Sequence, residues 1–254
     1  MSRPLRIDFN CDLGEGCGDD AAIAPHISSA SLACGFHAGD PLRMREAVAV
    51  CLRHGVAVGA HPSFPDREGF GRRELATTPE QVHADTLYQL GALAAFVRAA
   101  GGRLHHAKPH GALYNLAARD AAIAEAIAAA VRDFDPGLIL YGLAHSALTA
   151  AGERVGLRVA HEVFAERRYE ADGTLTPRDQ PGAVIDSLDE ALAQVRGMLR
   201  EGIVVARTGE RVPIRADTLC LHGDRPDAAA FARALRAALA AEGIAIAPPF
   251  STPD

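Results

Sequence analysis

The chain has 254 residues, 48% hydrophobic and 23% charged, with a formal net charge of −6. That suffices for one barrel-sized domain or two smaller ones, and it offers no basic field to nucleic acid or an anionic membrane. No apolar run approaches bilayer length, the start Met1-Ser2-Arg3-Pro4-Leu5 lacks a signal-peptide core, and five cysteines without a C-x-x-C pair point to a reducing cytoplasm.

Short apolar runs predict strands at residues 5–9, 31–34, 56–59, 104–107, 138–141, 157–163 and 218–221. Stretches rich in Ala, Leu, Arg and Glu predict helices at 43–53, 79–99, 118–132, 144–153, 188–200 and 228–241. Asp40-Pro41 reads as a helix cap, and Thr78-Pro79-Glu80-Gln81 and Ser187-Leu188-Asp189-Glu190 read as capping boxes. Gly55, Gly101, Gly156, Gly202 and Gly243 mark helix ends. Within 79–99, Leu87, Leu90, Ala94 and Val97 recur at helical spacing and predict the buried stripe. Residues 203–216 break the rhythm, and Thr208-Gly209-Glu210 predicts a small inserted hairpin. The tail, 248–254, is expected to fray. Repeated strand–helix units without a linker predict one α/β domain over 1–254, a barrel of parallel strands first and an open doubly wound sheet second.

Polar clusters follow the strand runs, at the carboxyl edge where ligands bind in either parallel architecture. Asp8, Asn10 and Asp12 share one face of the first strand. Inside a barrel they are costly unless they meet a ligand or one another, so they read as site residues or as an internal hydrogen-bond network. His37 lies between Gly35 and Gly39. The third strand leads through His61 and Asp66 to Arg72 and Arg73, either of which could clamp a carboxylate or phosphate. The one lysine, against 25 arginines, is Lys108, in Lys108-Pro109-His110-Gly111-Ala112-Leu113-Tyr114-Asn115. In a chain that otherwise uses arginine, an ammonium marks a need for a slim cation or a proton donor. Glu162, Arg178, His222 and Asp224 follow later strands. His26, His54, His83 and His145 lack such company and read as surface residues, and Cys34 reads as buried filler. Imidazoles and acids at strand ends leave a divalent metal open, assembled from distant segments since no H-E-x-x-H occurs. There is no G-x-x-x-x-G-K-[ST] nucleotide loop and no G-x-S-x-G elbow.

In this order the clusters resemble the LamB/YcsF family, the matching segments being 8–16, 34–41, 59–72, 108–115, 162–169 with Gly173 and Arg178, and 222–224. One departure is visible: the family's usual Phe-Ala-Asp-Arg is Phe164-Ala165-Glu166-Arg167 here, so Glu166 is assigned no close catalytic role. The resemblance implies a single-domain distorted (β/α) barrel akin to the glycoside hydrolase/deacetylase barrels. It also implies the role of the A subunit in an ATP-dependent 5-oxoprolinase. There 5-oxo-L-proline, ATP and water give L-glutamate, ADP and phosphate, together with partner subunits B and C, which fits the missing nucleotide motif. On that reading Asp12 or His61 serves as general base, and Lys108 and His110 stabilise oxyanion or phosphate charge. Asn10, His37 and Tyr114 orient the ring, and Arg72 or Arg178 holds its carboxylate. Asp8, Asp66, Glu162, His222 and Asp224 complete the substrate site. A stand-alone metal-dependent carbohydrate deacetylase and a non-catalytic binding subunit remain the alternatives.

Overall fold

The structure, a computed structural model, describes residues 5–221 and 227–250. In chain order the elements begin with β1 (Arg6–Leu13), α1 (Asp20–Ile23), β2 (Ser29–Ala33), α2 (Pro41–Arg53), β3 (Ala57–His61), α3 (Pro79–Ala99) and β4 (His106–Ala107). There follow α4 (Gly111–Arg119), α5 (Ala121–Phe134), β5 (Ile139–Leu143), α6 (Ala147–Arg154), β6 (Arg158–Phe164) and α7 (Leu188–Arg196). The last are β7 (Ile203–Val205), β8 (Arg211–Pro213), β9 (Thr218–Leu221), α8 (Ala228–Ala241) and β10 (Ala245–Ile246). Seven parallel strands, in the order β1-β2-β3-β4-β5-β6-β9, close into a barrel when β9 pairs back onto β1. The closed parallel barrel is the first of the two architectures expected, and the open sheet is set aside. β7 and β8 pair antiparallel outside the barrel.

The strands are polar inside and apolar outside. On β1, Ile7, Phe9, Cys11 and Leu13 join the apolar layer beneath the helices, while Asp8, Asn10 and Asp12 turn inward, all buried. Each inward group meets partners, which offsets the cost of removing it from water. The Asp8 carboxylate accepts hydrogen bonds from Ser28 (2.7 Å), Ser29 (2.7 Å), Thr218 (2.6 Å) and Tyr141 (3.0 Å). Burial nevertheless pushes its pKa up from the usual carboxylate value. His106 stacks on Tyr141 at 4.0 Å and meets the Ser31 hydroxyl at 3.2 Å. Gly59 leaves room for that ring, since a Cβ there would collide with it.

Burial holds His106 well below the usual imidazole pKa and His105 at about 4. The unfolded chain therefore takes up these protons first, near pH 6.5, so unfolding gains protons as the pH falls below that value. Stability should decline on acidification by about 1.4 kcal/mol per pH unit for each such histidine. Denaturation midpoints followed downward from neutral pH check this, and a His106→Gln variant should show a flatter dependence.

Four details differ from the sequence expectations. The helix expected over 118–132 is two helices, because Asp120 ends α4 and its side chain accepts the amides of Ala122 and Ile123 to start α5. The buried stripe of α3 runs through Val82, Thr86, Leu90, Leu93 and Val97, with Leu87 and Ala94 only half-buried. It is rotated by Gln89, whose buried amide binds both the N–H and the carbonyl of Ser63. The helix expected from 144 starts at Ala147, after His145 adopts a positive φ of 61° and Ser146 caps the first turn. Of the tail expected to fray over 248–254, residues 251–254 lie outside the described residues, and the start makes contacts: Arg6 donates to the Pro248 carbonyl and Arg158 lies over the Phe250 ring at 5.7 Å.

Candidate active site

A cavity of about 710 Å³ opens at the carboxyl rim of the barrel, and Asp12, His61, Lys108, His110 and Glu162 are among the residues lining it. β1, β3, β4 and β6 end or nearly end there, which brings these distant segments together. After β4 the chain continues along β3, the Lys108 amide donating to the Ala60 carbonyl (2.9 Å) and the His110 amide to that of Pro62 (2.8 Å). Gly111 then starts α4 at a φ of +58°, so close to the Gly71 carbonyl that a Cβ would stand 2.5 Å from it.

The Lys108 ammonium lies 2.6 Å from Asp12 Oδ1, 3.0 Å from Glu162 Oε1, 2.9 Å from Asn10 Oδ1 and 3.4 Å from Cys220 Sγ. Burial opposes its charge, but the carboxylates of Asp12 and Glu162 outweigh that and hold its pKa well above the usual lysine value. Cys220 adds no charge, because burial pushes its own thiol well up. Three oxygens converging on one small cation account for lysine at a position where a planar guanidinium would not fit.

Beside this clamp stands a histidine cluster with Glu15. His61 Nδ1 is 2.7 Å from the Lys108 carbonyl and His110 Nε2 is 2.8 Å from the Phe70 carbonyl, so both nitrogens carry the proton. The opposite nitrogens, His61 Nε2 and His110 Nδ1, then present lone pairs to each other at 3.0 Å. Glu15 Oε1 is 3.3 Å from His110 Nδ1, Asp12 Oδ2 is 3.3 Å from His61 Nε2, and His37 Nε2 is 3.0 Å from Glu15 Oε1. Burial pushes His110 far down and His37 to about 2, so neither supplies positive charge of its own. Acceptor atoms facing one point call for a cation.

The donor atoms of Glu15, His37, His61 and His110 all lie within 4.8 Å of one another. Ligands of a tetrahedral ion with bonds of about 2.1 Å would stand about 3.4 Å apart, so the set fits a divalent metal. The carbonyls that accept from His61 and His110 match the outer support usual for metal-binding imidazoles. His37 lacks such support, its Nδ1 having no partner among the described residues.

Of the residues singled out in the sequence, Asp12, His61, Lys108, His110, Arg72, Tyr114, Glu162 and Arg178 line the cavity. Asp8 and Asn10 do not. Asp8 belongs to the hydroxyl network beneath, and Asn10 supports Lys108 while its amide donates to Glu162 (3.0 Å) and Thr218 (2.7 Å). Asp66 is also away from the cavity. Arg73 pairs with it and holds its pKa at about 2, and it accepts the Gly69 amide, so it ties down its own loop. His37 stacks on His110 at 3.8 Å behind the cavity wall. The loop carrying it is clamped by Arg67, which donates to the carbonyls of Gly35 and Gly39. Tyr114 stands edge-on to Phe164, and burial together with the Glu162 charge raises its pKa. His222 and Asp224 lie outside the described residues. Two residues escaped the sequence reading. Glu15 carried a usable signal, a carboxylate between Gly14 and Gly16 directly after a strand; Arg167 carried one too, as the arginine that ends Phe164-Ala165-Glu166-Arg167 directly after a strand.

The LamB/YcsF family model matches residues 7–253. The chain is 57% identical over 245 residues to the 5-oxoprolinase A subunit of Bordetella pertussis, covering 94% of this chain and 97% of the relative. It is 59% identical over 246 residues to the 5-oxoprolinase A subunit of Methylococcus capsulatus, covering 95% of each. Among solved structures, the lactam utilization protein of Thermus thermophilus superimposes with a TM-score of 0.90 at 50% identity, over 96% of this chain and 99% of that one. The catalytic domain of a peptidoglycan N-acetylglucosamine deacetylase from Eubacterium rectale shares the fold, with a TM-score of 0.52 at 13% identity over 100% and 92% of the two chains. This chain belongs to the LamB/YcsF family.

Proposed function

We propose that this chain is the A subunit of an ATP-dependent 5-oxoprolinase and opens the lactam of 5-oxo-L-proline to L-glutamate, in a complex whose subunits B and C bring ATP to the reaction. The convergence of Asp12, His61 and Lys108 on one cavity supports this reading, in a chain whose near-full-length relatives carry that name. A resonance-stabilised lactam resists water, and phosphoryl transfer to its oxygen in the partner subunits makes the ring carbon electrophilic. Water then adds to that carbon. Asp12 takes the water proton on Oδ2, because Oδ1 is engaged by Lys108. The ammonium of Lys108 stabilises the charge gathering on the oxygen or phosphate. The C–N bond breaks with its electron pair on nitrogen, which regains a proton. A second water then hydrolyses the resulting acyl phosphate to L-glutamate and phosphate.

For His110 this reading replaces the stabilisation of oxyanion or phosphate charge with a role as an acceptor: with its Nε2 proton given to the Phe70 carbonyl, its Nδ1 faces the cluster as a lone pair. Glu15, His61 and His110, with His37 as a fourth donor, would hold a divalent metal. When bound, it would supply Lewis-acid polarisation of the lactam oxygen or of water.

Glutamate release from 5-oxoproline, assayed with the chain alone, the partner subunits alone and the mixture, with and without ATP, tests the assignment. Release in the mixture with ATP and under no other condition is expected. Release without this chain, or sugar deacetylation by this chain alone, would overturn it.

A further inference from the structure

Arg167 follows β6 on the cavity wall, 6% exposed. Its backbone is immobilised: Gln194 donates to the carbonyls of Phe164 and Arg167, each at 3.0 Å, and Arg167 bridges Val184. Its Nη2 donates to the Thr176 carbonyl at 2.6 Å, whereas its buried Nε–H has no acceptor among the described residues. Burial and the like charge of Arg178 lower the Arg167 pKa to about 10 against the opposing pull of the buried Glu166 carboxylate, which leaves the Nε–H without an acceptor. A buried cation with an unused donor beside a second cation is costly unless an anion completes it. The other polar end of the cavity is already committed, with Lys108 neutralised by Asp12 and Glu162.

We infer that Arg167, with Arg178, forms a subsite for the ligand's carboxylate, so that this wall selects lactam acids over neutral lactams. The inference rests on the proposed function above and adds a specificity-determining residue to it. In 5-oxoproline the carboxylate and the carbonyl flank the ring nitrogen on opposite sides. A guanidinium on one wall would therefore grip the carboxylate end and turn the ring carbonyl toward the floor, where Asp12 and Lys108 lie. The Nε–H and an Nη–H of one guanidinium match the two oxygens of a carboxylate.

The test uses the complete complex with ATP. Wild type, Arg167→Lys and Arg167→Met are each assayed on 5-oxoproline and on pyrrolidin-2-one, which has the ring without the carboxylate. Both variants should raise KM for 5-oxoproline at least about a hundredfold with a smaller change in kcat. The preference for the acid over pyrrolidin-2-one should collapse by a similar factor, and a merely structural role would not move that ratio. Because the Met variant could misfold, a second arm uses the wild-type complex alone, with pyrrolidin-2-one and inorganic phosphate as competitors of 5-oxoproline. Both should compete poorly. Competition by pyrrolidin-2-one equal to that of unlabelled 5-oxoproline, strong competition by phosphate, or folded variants with unchanged KM and preference would overturn the subsite. A wild-type complex that releases no glutamate would instead defeat the functional assignment.

Discussion

Lys108→Arg should reduce ATP-dependent glutamate release at least about a thousandfold while leaving the fold in place. The ammonium meets oxygens of Asp12, Asn10 and Glu162 at 2.6, 2.9 and 3.0 Å in a space 2% exposed. A guanidinium keeps the charge, but its planar fork cannot direct donors at three oxygens gathered around one point. It would displace Asp12 from the cavity floor. Lys108→Met should act on stability instead. Two buried carboxylates would lose their shared counter-ion, a loss of about 3–5 kcal/mol. In a domain of this size that lowers the melting temperature by roughly 10 °C. Thermal melts and steady-state rates on the two variants separate the effects. Full activity in the arginine variant would remove the special role assigned to lysine.

Asp12→Asn should lower kcat by about 10²–10⁴ with KM little changed. The amide keeps the shape of the carboxylate and leaves the Lys108–Glu162 pair intact, so the barrel should still fold. What disappears is the group proposed to accept the water proton. The sign of the pH dependence follows. A general base works only when deprotonated, so the wild-type rate should fall on the acid side, and the residual rate of the variant should lack that limb. An Asp12→Asn enzyme with an unaltered acid limb would move the base elsewhere, with His61 Nε2, 3.3 Å from Asp12 Oδ2, the nearest alternative.

Much of this molecule is legible along the chain because the relevant physics is local. The Thr78 and Ser187 caps each accept the amide three residues on, as their side chains allow, and the glycines after the helices adopt the positive φ that other residues resist. Strand β9 coincides with its predicted limits, and β6 differs from them by one residue at each end. Helix α3 also has its expected length, and Leu90 and Val97 lie on its buried face as expected; Leu87 and Ala94 are only half-buried, while the Gln89–Ser63 hydrogen bonds join segments 26 residues apart. The solitary lysine was visible as a compositional anomaly. Its reason, three converging oxygens, was not.

By itself the sequence determined the alternation of strands and helices, the helix starts and ends, the polar face of the first strand and the clustering of ionisable residues at strand ends. Periodicity, capping and backbone stereochemistry act over a few residues. Only the tertiary structure decided that seven strands close the barrel and that Asp8 serves a hydroxyl network while Asp12 faces the cavity. It also decided that Glu15 joins three histidines. The carbonyls of Lys108 and Phe70 choose the protonated nitrogen of His61 and His110, and that choice turns the other two nitrogens into acceptors. These outcomes depend on where backbone atoms from different strands meet, and a shift of one residue in register would reverse every inward side chain.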